Sequence, residues 1–551
     1  MKHRQPMKRI THPLFVLLAL WLVASFDVLQ AQVSHGGMPH TMGRPSKQAV
    51  DRIVLDSVDV SALVREDSLM QKGGNAMRIG ITRAVEADNM HRGTLTQQSD
   101  GSQLWRLDVV SPGASFVSLT FDRFELPEGA ELFVYTPQGD FFLGRFLGSD
   151  VKNDGSFYTQ AVPGDVCCIE YYEPAAVAGQ GHLSLVDVTH GYKSLSPLDD
   201  EEKAGLLGSA GNCHIDVACD DAREMSNQIR AVCCITIRAG ATYLCSGALM
   251  NNTSLDKTPY VLTAHHCQDL NSAVTQYVCY FNYQRPACGS GTGHISQSVT
   301  GATEVAKRSA SVGSDFLLLR LDQAVPDDYE PYYAGWDRRS IDSPEVGYCI
   351  HHPSGDYKKI SFPRTVVRDR PSYPRFYRAT WQNRGVTEQG SSGSPLFNAS
   401  GLVIGQLWAG TSDCSNTYGY DDYGSLDISW DEGTRADTRL SDWLDPLGTG
   451  VLSLAGMNYD SSSSVSVDAN MVLPLQIYPN PSSGTATVEV EEVGEASYQV
   501  FTIDGRLMLE SNTVFTYGTQ SLNLRDLPNG MYVIYVFIDD KRYGTTLSIF
   551  K

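Results

Sequence analysis

The sequence has little positive charge, one long apolar run and no cysteine spacing typical of a zinc site. Lys and Arg number 43 against 63 Asp and Glu, a formal net charge of −20, and no basic stripe interrupts it. A nucleic-acid partner is therefore not expected, because such proteins carry a basic footprint. The 12 cysteines lack CxxC-type spacing, so a metal is not expected either.

The N-terminus has the pattern of a secretory signal. The basic stretch MKHRQPMKRITH precedes the apolar run LFVLLALWLVASF, and Ala31 offers a small residue before a cut. The apolar run is short for a membrane span, although an uncleaved anchor is the alternative. Residues 1–31 are therefore predicted to be a signal peptide, and export makes disulfides the default interpretation of the cysteines.

The remaining chain divides into blocks by composition. With 551 residues, it is too long for one core. Short strand-like runs separated by turns predict a β-rich block over residues 32–203, a cysteine-rich block over 204–455 and a small β-sandwich over 471–551. A Ser-rich linker, 456–470, precedes the sandwich. Within the middle block, RLSDWLDPL predicts a short helix before Pro446.

Three short motifs of the middle block contain the groups that nucleophilic catalysis requires. A serine hydroxyl needs a base and an acid that orients that base. VLTAHHC ends in His266 before Cys267, SDFLLLRLD places Asp315 at the start of an apolar strand, and TEQGSSGSPL centres on Ser392. Each residue alone also has a structural explanation: Ser392 could be an ordinary turn residue, and Asp315 could cap a strand. His265 is an alternative to His266 for the role of the base. The order His–Asp–Ser is one of those known for the triad.

These motifs resemble those of the chymotrypsin-like serine endopeptidases, and among them the bacterial lysyl endopeptidases. Further stretches resemble the latter in the same order: GNCHIDVAC, CSGALMNN, AGWDRR, HHPSGDYKKIS, GQLWAG, YDDYGSLDISW and RLSDWLDP. The resemblance covers nearly all of residues 208–447. It implies an all-β protein whose catalytic domain is a double β-barrel, flanked by a β-rich N-terminal propeptide and a C-terminal β-sandwich.

The resemblance also implies a role for each motif residue. Ser392 would attack the scissile carbonyl, His266 would act as general base and then general acid, and Asp315 would orient the imidazole. The N–H groups of Gly390 and Ser392 would form the oxyanion hole. No metal or organic cofactor is implied.

Ser391 departs from the animal trypsin-like pattern, which has Asp there to pair with a newly freed N-terminal amine. We therefore expect activation by removal of a covering propeptide, residues 32–203, with Lys203–Ala204 as the bond for self-processing. The alternative is a first block that stays attached as a binding domain.

Cleavage after a cation needs a buried carboxylate in the primary pocket. The resemblance assigns this role to Asp421, with Asp422 as its rival. It makes Leu407, Trp408 and Ala409 the strand that pairs with the substrate. The lysyl endopeptidase pattern has His at the position of Trp408, and a Trp roughly where Arg368 falls. These departures leave open whether the pocket accepts Lys alone or also Arg.

Six cysteines are paired by resemblance: Cys213 with Cys414, Cys219 with Cys288, and Cys245 with Cys267. The partners of the other six stay open, and these are Cys167, Cys168, Cys233, Cys234, Cys279 and Cys349.

The C-terminal motifs LQIYPNPSSGTATVEV, TIDGRLML and LPNGMYVIYV resemble the sorting domain of the type IX secretion system of Bacteroidota. The alternative is a carbohydrate- or protein-binding sandwich.

The sequence thus predicts an exported monomeric serine endopeptidase that cleaves after Lys. It would be released or held at the cell surface, with lysine-containing peptides and the secretion machinery as partners. The alternatives are a trypsin-like enzyme that accepts Lys and Arg, and a catalytically silent homologue that acts as a surface adhesin.

Overall fold

The computed structural model describes most of the chain beyond the N-terminus. The described ranges are 37–42, 49–69, 76–150, 155–193, 195, 210–268, 276–368, 375–460, 472–489, 494–502, 507–515, 519–525, 527–538 and 541–551. The predicted signal peptide, the Lys203–Ala204 bond and residues 461–470 of the spacer lie outside them. Within these ranges, no helix combines the length and apolarity needed to cross a membrane.

The first block is β-rich, as predicted. Its elements are β1 (Asp51–Val54), α1 (Val60–Leu69), β2 (Met77–Asp88), β3 (Thr94–Gln97), β4 (Gln103–Val110), β5 (Phe116–Glu125), β6 (Glu131–Tyr135), β7 (Phe142–Phe146), β8 (Phe157–Tyr158), β9 (Val162–Pro163), β10 (Val166–Glu173) and β11 (His182–Gly191). One sheet has the order β1-β4-β10-β6-β7, and β2, β11, β5 and β8 belong to a second. Apolar side chains from both sheets form a shared core.

The middle block begins with a sheet that curls into a barrel. Its elements are β12 (Ile215–Asp216), α2 (Ser226–Ala231), β13 (Val232–Ala239), β14 (Ala241–Met250), β15 (Tyr260–Ala264), β16 (Gln276–Tyr280), β17 (Ser298–Thr300), β18 (Ala302–Arg308) and β19 (Phe316–Leu321). The strand order is β17-β16-β13-β14-β15-β19-β18, and β18 returns to contact β16. The apolar run of β19 is buried, because its leucines fill the barrel and the space outside it.

A second barrel-like sheet completes the middle block. Its elements are β20 (Tyr332–Tyr333), β21 (Trp336–Asp337), β22 (Val346–His351), β23 (Lys359–Ser361), β24 (Thr365–Arg368), β25 (Phe376–Thr380), β26 (Pro395–Asn398), β27 (Val403–Gly410), β28 (Tyr420–Ser425), α3 (Leu426–Asp431), α4 (Ser441–Leu444), β29 (Ser453–Leu454) and β30 (Met457–Asn458). Its order is β12-β23-β22-β26-β27-β28-β25-β24. The helix predicted before Pro446 is α4. One apolar cluster joins both barrels, so the block is the expected double β-barrel.

Strands also make up the C-terminal block. They are β31 (Val472–Pro474), β32 (Gln476–Tyr478), β33 (Thr485–Glu489), β34 (Gly494–Thr502), β35 (Leu507–Phe515), β36 (Thr519–Asn523), β37 (Gly530–Ile538) and β38 (Lys541–Ile549). They form a sheet of order β31-β38-β37-β34-β35 and a smaller one of order β32-β33-β36. Tyr532 is buried in the core between them, which suits packing better than ligand binding.

Candidate active site

Strand pairing brings the histidine and aspartate motifs together. β15 and β19 are antiparallel neighbours, and Ala264, the last residue of β15, faces Phe316, the first of β19. The residues just outside this pair are therefore adjacent: Nδ1 of His266 lies 2.6 Å from Oδ2 of Asp315, and its backbone N–H donates to Oδ1 at 3.2 Å. Both are buried, at 6% and 1% exposure. This contact fixes the imidazole with Nε2 directed elsewhere.

The sequence offered two adjacent histidines, His265 and His266, as candidates for the base, and they contact Asp315 in different ways. His265 meets Asp315 through its backbone, because its N–H donates to the Asp315 carbonyl at 2.8 Å. His266 meets the carboxylate with its ring. Nε2 of His266 is buried without a hydrogen-bond partner among the described residues. In a free enzyme the bond between base and nucleophile is often long, so this nitrogen is the one available for proton transfer.

Asp315 is held from behind by the second barrel. Its φ of +60° is unusual for a residue other than glycine, and its neighbour Ser314 accepts a 2.7 Å hydrogen bond from Nε2 of Gln406. β28 approaches so closely that a Cβ on Gly424 would lie 1.8 Å from the Ser314 carbonyl oxygen. These contacts of Ser314 with the second barrel fix the backbone at Asp315 where the two barrels meet.

The serine motif forms a tight turn between the barrels. Gly390 and Gly393 have φ of +89° and +81°, values that glycine adopts without strain. The Ser392 carbonyl accepts a 2.8 Å hydrogen bond from the Ser246 N–H of β14. Among the described residues, the N–H groups of Gly390 and Ser392 donate to no acceptor. Two unused donors beside a half-buried serine suit the binding of an oxyanion.

Ser391 makes an uncharged contact at the position where trypsin-like enzymes have an ion pair. The hydroxyl of Ser391 lies 2.7 Å from Nδ1 of His351, and it accepts the Glu388 N–H at 3.2 Å. Ser361 lies 2.9 Å from Nε2 of the same imidazole. Burial, with the nearby charge of His214, lowers the pKa of His351 well below its usual value. The turn is thus supported without a free N-terminal amine.

Asp421 lies on β28, within hydrogen-bond distance of Thr387 in the serine motif. Its side chain is fully buried, and Oδ2 accepts hydrogen bonds from Trp381 Nε1 and Thr387 Oγ1, both at 2.7 Å, and from the Ser412 hydroxyl. A Cβ on Gly410 would lie 1.6 Å from Oδ1. The carboxylate is therefore held by neutral donors, and it packs so closely against Gly410 that position 410 has no room for a side chain.

Asp422, the alternative to Asp421 as the carboxylate that binds a substrate cation, points to the other side of β28. Both carboxylate oxygens accept hydrogen bonds from the Arg378 guanidinium at 2.8 Å. This bidentate pair compensates the charge of Asp422 within the protein.

The strand expected to pair with substrate divides into two parts. Leu407 is buried, and its N–H and C=O bond to Ser394 and Gly393 of the serine turn at 2.9 and 2.8 Å. Its backbone therefore positions the turn. Trp408 is half-buried at a bulge of β27, and its ring packs against Phe376 with centroids 4.5 Å apart. Ala409 and Gly410 are also half-buried, and they pair with Asp422 and Asp421 of β28.

Arg368 falls roughly where the lysyl endopeptidase pattern has a Trp, and its side chain binds residues other than Asp421. Its guanidinium donates to Asp427 at 2.9 Å and to the Tyr377 hydroxyl at 3.0 Å. The indole that lies near Asp421 is that of Trp381, whose Nε1–H donates to the carboxylate. From the sequence alone, no role was assigned to Trp381, Thr387 or Ser412. No local pattern marks these three, since only folding brings them to Asp421.

The structure contains the three disulfides that the resemblance implied: Cys213–Cys414, Cys219–Cys288 and Cys245–Cys267. Cys245–Cys267 joins β14 to the turn that carries His266. The six cysteines whose partners were open are buried thiols.

Comparison with known proteins identifies two regions of the chain. Residues 207–424 match the family model described as lysyl endopeptidase, C-terminal domain, and residues 476–549 match the secretion system C-terminal sorting domain. A lysyl endopeptidase of Pseudomonas aeruginosa is 28% identical over 378 residues, which are 64% of this chain and 79% of that protein. An ulvan lyase of Nonlabens ulvanivorans is 28% identical over 92 residues, 16% of each chain.

Solved structures that resemble the chain include two proteases. An HtrA-type protease, AlgW with a tripeptide, has a TM-score of 0.27 at 14% identity, with 60% of this chain and 96% of that one covered. A Glu endopeptidase in complex with MPD has a TM-score of 0.27 at 15% identity, with 39% and 93% covered.

Proposed function

We propose, from the premise that this chain is a serine endopeptidase with a lysyl endopeptidase domain, that it hydrolyses peptide bonds on the carboxyl side of lysine. The observation that carries the proposal is Asp421, a fully buried carboxylate beside the serine turn that is held by neutral donors. A cationic side chain leaves water only where such a charge compensates it. A lysine ammonium is a compact charge with three donors, and it suits a single buried carboxylate.

The proposed reaction uses the pair of His266 and Asp315 together with Ser392. The Ser392 hydroxyl attacks the scissile carbonyl carbon while its proton passes to Nε2 of His266. The two N–H groups of Gly390 and Ser392 stabilise the oxyanion, and removing one such donor typically costs about 3–4 kcal/mol. His266 then protonates the leaving amine. Asp315 keeps the proton of the neutral ring on Nδ1, so that Nε2 acts as the base.

A trypsin-like enzyme that accepts both Lys and Arg is the second candidate. It is favoured by Trp408, whose ring packs against Phe376, and by the small size of the next two residues, Ala409 and Gly410. A wider mouth would admit a planar guanidinium.

We also propose the organisation around the catalytic domain. Residues 32–203 act as a propeptide, and the chain works as a monomer after their removal. The sorting domain sends the enzyme through the type IX secretion system and is then removed, which leaves the protease released or surface-attached.

The test is digestion of a mixed peptide library by the secreted, processed protein. Cuts should follow Lys and disappear in Ser392→Ala. Asp421→Asn should lower kcat/KM for Lys substrates by roughly 100-fold or more, since a buried charge then lacks its partner. Asp422→Asn is the matched control and should keep the preference for Lys.

Other outcomes select the alternatives. Cuts after both Lys and Arg that depend on Ser392 would support the second candidate. A correctly processed protein that cuts no peptide would favour a silent adhesin and reject the proposal.

A further inference from the structure

Asp315 has a backbone conformation that few side chains adopt. Its φ of +60° lies in the left-handed region, which residues other than glycine rarely occupy. Such a conformation persists only where the surrounding structure holds it, and it is frequent at functional sites. The two peptide planes that flank Asp315 therefore need partners that keep them in place.

The two flanking peptide planes are held from opposite barrels. The plane after Asp315 contains its carbonyl, which accepts the N–H of His265, in the turn after β15 of the first barrel, at 2.8 Å. The plane before Asp315 contains the Ser314 carbonyl, which accepts a 2.7 Å hydrogen bond from Nε2 of Gln406 in β27 of the second barrel. The orientation of this planar unit about the N–Cα bond of Asp315 is the φ angle. Gln406 thus fixes the angle that is strained.

Gln406 is placed so that its amide serves this contact. The residue is fully buried, and it pairs with Gly424 of β28. A Cβ on Gly424 would lie 2.3 Å from Nε2 of Gln406, so the amide has room because residue 424 is glycine. Only the nitrogen of the amide can donate to the Ser314 carbonyl, which settles its orientation. Oε1 of Gln406 is buried with no hydrogen-bond partner among the described residues, which lowers stability and points to a role outside folding.

The same strand holds the serine turn. The residue after Gln406, Leu407, donates its N–H to the Ser394 carbonyl at 2.9 Å and accepts the Gly393 N–H at 2.8 Å. β27 therefore binds the nucleophile turn through the backbone at position 407 and the Asp315 peptide through the side chain at position 406. Because the two contacts come from neighbouring residues of one strand, the strand geometry fixes their separation.

We propose that Gln406 is a positioning residue for the reaction, because its bond to the Ser314 carbonyl keeps Asp315 in the conformation that directs the carboxylate to His266. This rests on the proposed function. Without the bond, the peptide plane before Asp315 turns toward a relaxed conformation, and the carboxylate moves away from Nδ1 of His266. The imidazole then lacks the partner that fixes its orientation and tautomer, so proton transfer from Ser392 slows.

Steady-state kinetics on Gln406→Met test the proposal, because Met removes the amide at nearly constant volume. Ser314 stays anchored, since its hydroxyl lies 2.6 Å from that of buried Ser429 in α3. The variants are processed in trans by tagged wild-type enzyme, which is then removed, and are assayed on an ester of lysine. We expect kcat to fall at least about 30-fold with KM within about threefold, as a small misplacement of a catalytic group can do. Gln228→Met is the matched control and should keep kcat within about threefold, since the Gln228 amide also donates to a backbone carbonyl, that of Gly401 at 3.3 Å.

A double-mutant cycle separates this role from a general effect on the serine turn. In an Asp315→Ala background, Gln406→Met should lower the residual kcat by less than about threefold, because the group that Gln406 positions is already gone. Residual catalysis by the oxyanion hole keeps this rate measurable. If Gln406 acted instead through Leu407 on the serine turn, the full loss would persist in that background.

Proton NMR of the full chain with Ser392→Ala needs neither turnover nor processing. The 2.6 Å contact between Nδ1 of His266 and the Asp315 carboxylate should give a proton resonance at low field. We expect this resonance to disappear or move upfield in Gln406→Met and to stay in Gln228→Met. Gln406→Asn keeps the amide but withdraws it by one methylene, so it should give the same result and replaces Gln406→Met if that variant does not fold. Urea unfolding followed by Trp fluorescence identifies the folded variants.

Three outcomes would overturn the inference. These are a kcat within about threefold of wild type in both variants of Gln406, an unchanged low-field resonance, and an undiminished loss of kcat in the Asp315→Ala background. A fourth outcome concerns the proposed function alone. If the wild-type enzyme cleaves no lysine substrate but Gln406→Met loses the low-field resonance, the lysine specificity is rejected and the role of Gln406 stands.

Discussion

A methyl group added to Gly410 would lie 1.6 Å from Oδ1 of Asp421. Gly410→Ala should therefore displace the carboxylate or fill the space of the substrate ammonium. We expect kcat/KM for Lys substrates to fall by about 100-fold or more, as misplacement by about 1 Å can do. Steady-state kinetics on a Lys amide substrate measure this.

Gly448→Ala is the control, because a Cβ at Gly448 meets no atom within 4 Å. It should leave kcat/KM within a few-fold. Full activity of Gly410→Ala would contradict the assignment of Asp421 to the primary pocket.

The two adjacent histidines should differ sharply in their effect on catalysis. The ring of His266 lies 2.6 Å from the Asp315 carboxylate, whereas His265 meets Asp315 through its backbone N–H. We expect His266→Ala to lower kcat by a factor of about 10⁶, the size seen when a triad base is removed. His265→Ala should retain activity within about tenfold.

Burst titration with an acylating reagent separates loss of chemistry from loss of folded enzyme. An inactive His265→Ala beside an active His266→Ala would reverse the assignment.

The candidate catalytic residues could be proposed from the sequence because each of them lies in a short motif with its own local signal. Asp315 precedes a buried strand, and Ser392 lies between glycines that the turn requires. The histidine motif ends at the first turn after β15. These motifs are local, and the chain order of the three fixes which strands must meet.

Contacts between distant segments were not predictable in this way. Trp381, Thr387 and Ser412 reach Asp421 only because β25, the serine loop and β28 close around one point. The pairing of β2 with β14 joins residues about 160 positions apart in two blocks that look separate by composition. Alternation along a strand predicts which face is buried but not which neighbour supplies the next strand.

Gly393 should be intolerant of any side chain, for two separable reasons. Its φ is +81°, and a Cβ would lie 2.1 Å from Thr263 Oγ1 and 2.5 Å from the Ser246 carbonyl oxygen. Gly240→Ala is a matched control, because Gly240 has a similar φ of +75° with no atom within 4 Å. It should cost only about 1 kcal/mol of stability, the price of the backbone conformation.

Gly393→Ala should lose more stability than this control and most of its activity, since the serine turn must shift. Urea unfolding and kcat measured on both variants check the prediction. Equal effects of the two substitutions would show that the contact with Thr263 is unimportant.

Two buried histidines behind the serine turn should make the fold sensitive to acid. Burial, with the charge of Lys358, lowers the pKa of His352 to about 3, and burial lowers that of His351 well below its usual range. In the unfolded chain both titrate near 6.5. Between about pH 6.5 and 3 the unfolded state therefore binds more protons than the folded state, so stability falls as the pH falls through this window. One such group contributes at most about 1.4 kcal/mol per pH unit.

His352→Gln should flatten this dependence, because one group that the folded state keeps neutral is removed. The urea midpoint of the Ser392→Ala full chain, followed by Trp fluorescence from pH 4 to 7, measures the slope. His294→Gln is the control, since His294 is exposed and its replacement should leave the slope unchanged. An unchanged slope in His352→Gln would contradict the prediction. It would mean that His352 takes up its proton in the folded protein, although its ring is buried behind the serine turn.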